Sequence, residues 1–210
     1  VAAVSLKTDG WMFHRLSPTY VAELGTTRKT LQPAYRLDYV CQSQLATRDE
    51  LTNPNCVLGK TEDSKPRVVL WGDSNAAHYI GMLDVFGRNA DFAFRNIQIG
   101  ACPPLHSDPS DFVTARRLND CRASIELIWP FLRDFDVAMI GASWSGYYQK
   151  GIDFFGEFQK TVSLLNSEGI RVILIGKAPI ISGYDRLCAE KALRFPGMRC
   201  GVDPVPLAEE

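Results

Sequence analysis

Val68-Val69-Leu70-Trp71-Gly72-Asp73-Ser74-Asn75-Ala76-Ala77-His78 reads as a short apolar strand, a tight Gly-Asp-Ser turn and the start of an amphipathic helix. A serine so placed stands at the carboxyl end of a strand and the amino end of a helix, where open α/β sheets bind ligands. Backbone N–H groups and the dipole at that helix end favour negative charge. Such a position suits a nucleophile whose intermediate is an oxyanion. Gly-Asp-Ser is also ordinary turn chemistry, so the rest of the chain has to decide.

Outward from this turn the pattern alternates between strand and helix. Residues 76–88 are predicted helical, with Ala76, Ala77, Ile80, Leu83 and Val85 or Phe86 on the inner stripe. Residues 91–99 read as a strand that ends at Gly100. A helix is expected over 119–133, with Pro130 marking a break near its end. Residues 136–141 form a short continuous apolar run, as in a strand of a buried parallel sheet. Residues 151–168 read as a helix closed by Gly169 at the C′ position, and 171–176 as a further buried strand. This order predicts an α/β fold with a doubly wound parallel sheet. Residues 1–65 lack the alternation and read as an N-terminal extension, extended around 35–40, that packs on a main domain at 66–210. Past Gly183 the regularity fades into a cysteine-bearing loop.

Three strand ends carry small or functional residues: Gly72-Asp73-Ser74, Gly100-Ala101-Cys102 and Gly141-Ala142-Ser143-Trp144. In a parallel sheet these ends open onto one crevice. Gly100 and the Gly141–Ser143 turn are candidate oxyanion donors, although glycines also simply end strands.

Composition narrows the partners. The 210 residues are 46% hydrophobic and 22% charged with a net charge of −1, which argues against binding driven by nucleic-acid phosphates. No apolar run is long enough to span a membrane, and the first residues lack the regions of a signal peptide. The six cysteines fall as Cys41 and Cys56, Cys102 and Cys121, and Cys188 and Cys200. None has the spacing of a zinc site. Loop-sized separations and an even count favour three local disulfides in an oxidising compartment, against the alternative of buried free thiols. No metal site is expected.

Trp-Gly-Asp-Ser-Asn-Ala-Ala-His at 71–78, Cys-Pro-Pro-Leu at 102–105 and Ala-Ser-Trp-Ser-Gly-Tyr at 142–147 together resemble the SGNH hydrolases. More closely, they resemble the SGNH domains fused behind acyltransferase-3 membrane proteins of bacteria. Tyr39-Val40-Cys41 and Asn55-Cys56-Val57-Leu58-Gly59 resemble the extension that links the two parts. The resemblance implies a flavodoxin-like three-layer α/β/α domain in the periplasm, tethered to the inner membrane in the full-length protein. It implies a role in moving or removing O-acetyl groups on O-antigen, surface polysaccharide or a related glycan, with acetyl delivered by an upstream membrane acyltransferase module. No cofactor is implied. Ser74 maps onto the nucleophile, and its N–H onto one oxyanion donor. Gly100 maps onto the second donor. Where the family's third block usually has Asn, this chain has Ser143 or Trp144. Asn75, Trp144 and Tyr147 are the expected substrate contacts, with the rings of Trp144, Tyr147 and Tyr148 as faces for sugar stacking.

The family's base is a histidine in an Asp-x-x-His block near the carboxyl terminus, and this chain holds only His14, His78 and His106. A serine without an adjacent base is a poor nucleophile. His78 is expected to pack beneath the nucleophile turn, and His14 to lie on a surface or interface. His106 serves as base only within hydrogen-bond reach of Ser74. The stretch 202–210 resembles what precedes the family's last helix, so a further tail is expected to supply the Asp-x-x-His. Competing readings are an acetylesterase, or a glycan-binding module of the same fold without catalysis. A flavodoxin-like nucleotide binder is disfavoured by the lack of a Gly-rich phosphate loop and by Asp73 in the turn.

Overall fold

The computed structural model describes residues 18–32, 34–61, 65–150, 153–178, 184–195 and 197–201. The chain forms two compact units, Ala34–Ala178 and Val1–Pro33 with Pro179–Glu210. In the smaller unit α1 (Pro18–Thr30) lies against a helix at Cys188–Arg194. Arg28 pairs with Glu190 at 3.1 Å, Tyr20 and Leu24 are buried, and Cys188 is bridged to Cys200. The loop expected past Gly183 therefore contains a helix, and the supposedly irregular start contains another. Neither carries a continuous apolar stripe, which is why periodicity passes over both.

The larger unit is built on a sheet that is six-stranded among the described residues. In chain order its elements are β1 (Gln42–Ser43), α2 (Arg48–Thr52), β2 (Val57–Gly59), β3 (Val68–Gly72), α3 (Ile80–Asn89), β4 (Ala93–Ile99), α4 (Ala115–Leu132), β5 (Val137–Gly141), α5 (Trp144–Tyr148), α6 (Phe154–Ser167) and β6 (Arg171–Ile175). The helix at Cys188–Arg194 is α7. The strand order is β1-β4-β3-β5-β6, all parallel, with β2 antiparallel to β4. From β3 the chain moves to β4 on one side and then crosses to β5 on the other. The switch point thus falls at the carboxyl end of β3.

Strand alternation sorts the core into two faces. Val69, Trp71, Ile97, Ile99, Ala138 and Ile140 pack with residues of α4 and α6. Leu70 and Phe94 pack with Ala76, Ala77, Ile80 and Leu83, whereas Val85 and Phe86, one of which was expected on the same stripe, are both exposed. This is the expected three-layer α/β/α architecture. Gly169 closes α6 in the left-handed region, with φ of 82°, as anticipated. Boundaries shift elsewhere. The helix after the serine turn starts as a 3₁₀ turn at Ala76–Tyr79. α4 begins at Ala115 and runs through Pro130 to Leu132. Residues 34–36 form a 3₁₀ turn instead of an extended segment.

The expected boundary at 65/66 is crossed by the sheet, because β1 and β2 both pair with β4. β2 covers Ala93, Phe94 and Arg95, while β1 covers Gln98 and Ile99. Asn96, buried between these two stretches, joins them. Its Oδ1 accepts from Cys41 N–H at 2.9 Å, and its Nδ2 donates to the carbonyls of Tyr39 at 3.0 Å and Cys56 at 2.9 Å. The Cys41–Cys56 disulfide ties the same two segments covalently. Such a bridge stabilises mainly by restricting the unfolded chain. Replacing both cysteines by serine is expected to lower stability by about 2–4 kcal/mol, read as a lower midpoint of urea unfolding. An unchanged midpoint would mean that Asn96 and the strand pairing suffice without the bridge.

Candidate active site

The serine turn is positioned by close backbone packing. A Cβ on Gly72 would lie 1.8 Å from the Gly141 carbonyl oxygen, a collision with backbone that cannot relax. A Cβ on Gly141 would meet Ala76 Cα at 3.0 Å. The glycines at the ends of β3 and β5 therefore do more than end strands: their missing side chains let the strand ends and the Ala76 turn come together.

Asp73 holds this junction. It is 1% exposed, and four donors satisfy its carboxylate. The Asn75 N–H donates to Oδ1 at 2.7 Å and Asn75 Nδ2 at 3.1 Å, while the Ser143 N–H donates to Oδ2 at 2.9 Å and the Tyr147 hydroxyl at 3.0 Å. A buried carboxylate is tolerated only with such partners. Burial first, and then the Asp73 charge, push the Tyr147 phenol upward, so it stays protonated as a donor. Asp73 thereby ties the β3 turn to the segment after β5.

Beside this junction lies an open cleft of about 300 Å³. Ser74, Asn75, Ala101, Thr114, Ser143 and Lys150 are among the residues that line it, with Asp73 and Tyr147 in its wall. Ser74 and Ser143 thus line one cleft, although 69 positions separate them in sequence. No hydrogen bond among the described residues engages the Ser74 side chain or its N–H.

Two expected donor groups are already committed. The Gly100 N–H donates to the Ser43 carbonyl at 2.8 Å, and the Ser143 N–H is held by Asp73. Residue 43 belongs to the extension, so the reading of Gly100 as a donor fails through β1. In the second-block turn the residue that faces the cleft is Ala101, whose φ of 53° lies in the left-handed region. For a residue with a side chain this conformation is uncommon and often marks a functional turn.

Trp144 does not line the cleft. Its Nε1 donates to the Ile175 carbonyl at 2.7 Å, and its ring packs on Phe158 at 4.9 Å and Phe154 at 6.3 Å. Tyr147 lines the cleft but is 6% exposed and stacks on Phe154 at 5.1 Å, so its ring is a wall and not a platform. Both lie on α5, a short helix that begins directly after the Gly141–Ser143 turn. Asn75 lines the cleft with its amide turned to Asp73. Tyr148, by contrast, is exposed.

The histidines lie elsewhere. His78 is exposed on the 3₁₀ turn, contrary to the expected packing beneath the serine. His106 sits over Trp129 at 4.3 Å and borders a separate cavity with Ser107, Asp108, Arg122 and Glu126. In that cavity Arg122 holds the Asp108 carboxyl down to about 2. His14 is outside the described residues, as is 202–210. Among the described residues no group of three or more His, Cys, Asp or Glu side chains is arranged to hold a metal ion, and no helix is long and apolar enough to cross a membrane.

Sequence reasoning missed Thr114, Arg117 and Lys150. The Cys102–Cys121 disulfide was the available signal, since it fastens the end of β4 to α4 and brings residues 112–117 to the cleft. Arg117 pairs with Asp120 at 2.6 Å and donates to the carbonyls of Gln44 and, at 3.1 Å, Gly100. It thus clamps the turn that presents Ala101. Lys150 donates to the Phe112 carbonyl across the cleft mouth.

The sequence model of a family described as "SGNH domain (fused to AT3 domains)" matches residues 40–209. No curated protein sequence matches the chain. One similar solved structure is the periplasmic domain of a lipopolysaccharide acetyltransferase of Salmonella ser. Paratyphi A, at 18% identity and a TM-score of 0.45. The match covers 78% of this chain and 59% of that one, so this chain spans less than two thirds of its length. With the family match extending over most of its residues, the chain belongs to the SGNH domains fused to AT3 domains.

Proposed function

We propose that this chain is the periplasmic portion of a glycan O-acetyltransferase with Ser74 as its nucleophile. The observation that carries this reading is an unengaged serine at the switch point of the sheet, in a cleft whose backbone is fixed by the fully satisfied Asp73. Ser74 Oγ attacks the acetyl carbonyl, and the carbonyl oxygen becomes the oxyanion. Its donors are the N–H groups of Ser74 and Ala101 and the Ser143 hydroxyl, which takes the role of the family's third-block amide. Collapse of the intermediate breaks the bond from the acetyl carbon to the donor, whose leaving atom takes the proton from the base, and acetyl remains on Ser74. A sugar hydroxyl then gives its proton to the base and attacks that ester, and the bond to Ser74 Oγ breaks to restore the serine. The proton goes to a histidine held by an aspartate, in the role of the family's Asp-x-x-His block; among the described residues no histidine lines the cleft. Three disulfides support an oxidising compartment. The AT3 fusion of the family supports an upstream membrane module as source of acetyl and as tether to the inner membrane.

A second reading, a glycan-binding module that keeps the fold without the chemistry, draws on the lack of a histidine in the cleft among the described residues. Acyl trapping separates the two. The full-length protein, treated with p-nitrophenyl acetate and quenched in acid, is expected to carry one acetyl group on the peptide containing Ser74. Acetyl found only on surface lysines would sink the transferase reading and leave the binding module.

A further inference from the structure

The outer lip of the cleft carries an unused combination of groups. Lys150 lines the cleft, and its ammonium donates to the Phe112 carbonyl. No carboxylate pairs with it among the described residues. The nearest acid downstream, Asp153, instead caps α6 by accepting from the Gly156 N–H at 2.9 Å. An ammonium has three donors, so two remain free at the mouth, and the existing bond holds the chain in place. Arg117 is also cationic, but Asp120 balances it. The single acid in the lining, Asp73, is buried and fully engaged. The accessible lip is therefore positive.

Between Tyr147 and Lys150, which both line the cleft, the chain carries an exposed aromatic ring. Tyr147 turns inward to Asp73, so its neighbour Tyr148 on the same short helix turns outward and is 62% exposed. Its ring lies 5.5 Å from that of Phe155, which is 51% exposed. Two apolar rings left in water next to a cleft fit the apolar face of a pyranose, and a cation beside them fits an anionic substituent on that sugar.

We infer that Tyr148, Phe155 and Lys150 form a subsite for an acidic sugar, with the ring on the two aromatic faces and its carboxylate or phosphate on the Lys150 ammonium. The inference rests on the proposed function for taking this glycan as the acetyl acceptor. It narrows the substrate class to anionic polysaccharide and gives Lys150 the task of placing the acceptor hydroxyl toward Ser74.

Binding of three oligosaccharide probes to the protein tests the subsite without relying on turnover. Trigalacturonate is expected to bind at least about tenfold tighter than maltotriose at low salt, and the margin should shrink as salt rises. A phosphorylated maltotriose tells whether phosphate serves as well as carboxylate. Lys150→Met should erase the preference and Lys150→Arg should retain it, while Tyr148→Ala and Phe155→Ala weaken charged and neutral probes alike. Equal affinity for trigalacturonate and maltotriose, or a preference that survives Lys150→Met, overturns the subsite. Failure to trap acetyl on Ser74 while the preference holds overturns the transferase reading and leaves an acidic-glycan binder.

Discussion

Ser74→Ala is expected to reduce acetyl turnover by about three orders of magnitude or more while leaving the fold intact. Under the proposed function the Oγ is the atom to which acetyl is transferred, so its loss removes a covalent step and not merely a favourable contact. What remains is binding and oxyanion stabilisation, which in hydrolases of this mechanistic type retain only residual catalysis. The side chain is half-buried and makes no hydrogen bond among the described residues, so stability should change by less than about 0.5 kcal/mol. Acetyl incorporation into glycan by the full-length protein, together with thermal unfolding of wild type and variant, separates the two effects. Turnover within tenfold of wild type would exclude Ser74 as the nucleophile.

Asp73→Ala has the opposite signature, with a large loss of stability accompanying the loss of activity. The carboxylate accepts from two backbone N–H groups and the Tyr147 hydroxyl, in addition to the Asn75 amide. Alanine accepts from none of them, and each buried donor left alone costs about 1–3 kcal/mol. Some of these donors find water through the cleft, so about 4 kcal/mol in total is expected. For a protein of this size that corresponds to roughly 8–16 °C in Tm. The turn bearing Ser74 and the segment bearing Ser143 then lose their common anchor, and the proposed oxyanion donors lose their alignment. Asp73→Asn keeps an acceptor oxygen and should lose about half as much stability. A Tm within about 2 °C of wild type for Asp73→Ala would show that the glycine packing alone holds the junction.

The two substitutions differ because the site has a reactive group and a scaffold that serves it. Sequence reading found the former more readily than the latter. Ser74 is legible because an apolar run, a Gly-Asp-Ser turn and an apolar-periodic stretch follow one another within a few residues. The adjacent Asp73 reads as a turn residue and a repellent for phosphate. Its real role depends on Ser143 and Tyr147, which are remote in the chain and arrive only through the β3–β5 pairing. Gly100 fails as a donor for a similar reason. Its N–H is taken by Ser43, from a segment whose pairing with β4 leaves no periodic trace because β1 is only two residues long.

Trp144 and Tyr147 show the limit of reading aromatics by residue type. One turn of helix α5 puts Trp144 against α6, Tyr147 against Asp73 and Tyr148 into solvent. A sequence shows that three large rings stand close together, but it does not show which way each one faces.

The sequence by itself determined the layer architecture, the parallel strands, a preference for local cysteine pairs and the serine at the carboxyl end of a strand. These follow from local periodicity, short spacings and the rule that parallel strand ends share one edge. Only the tertiary structure decided which backbone N–H groups remain open, which aromatic rings are walls, and that Arg117 and Lys150 belong to the cleft. Those outcomes rest on hydrogen bonds and contacts between residues far apart in sequence, where each group is either engaged or left open by partners that no local pattern encodes.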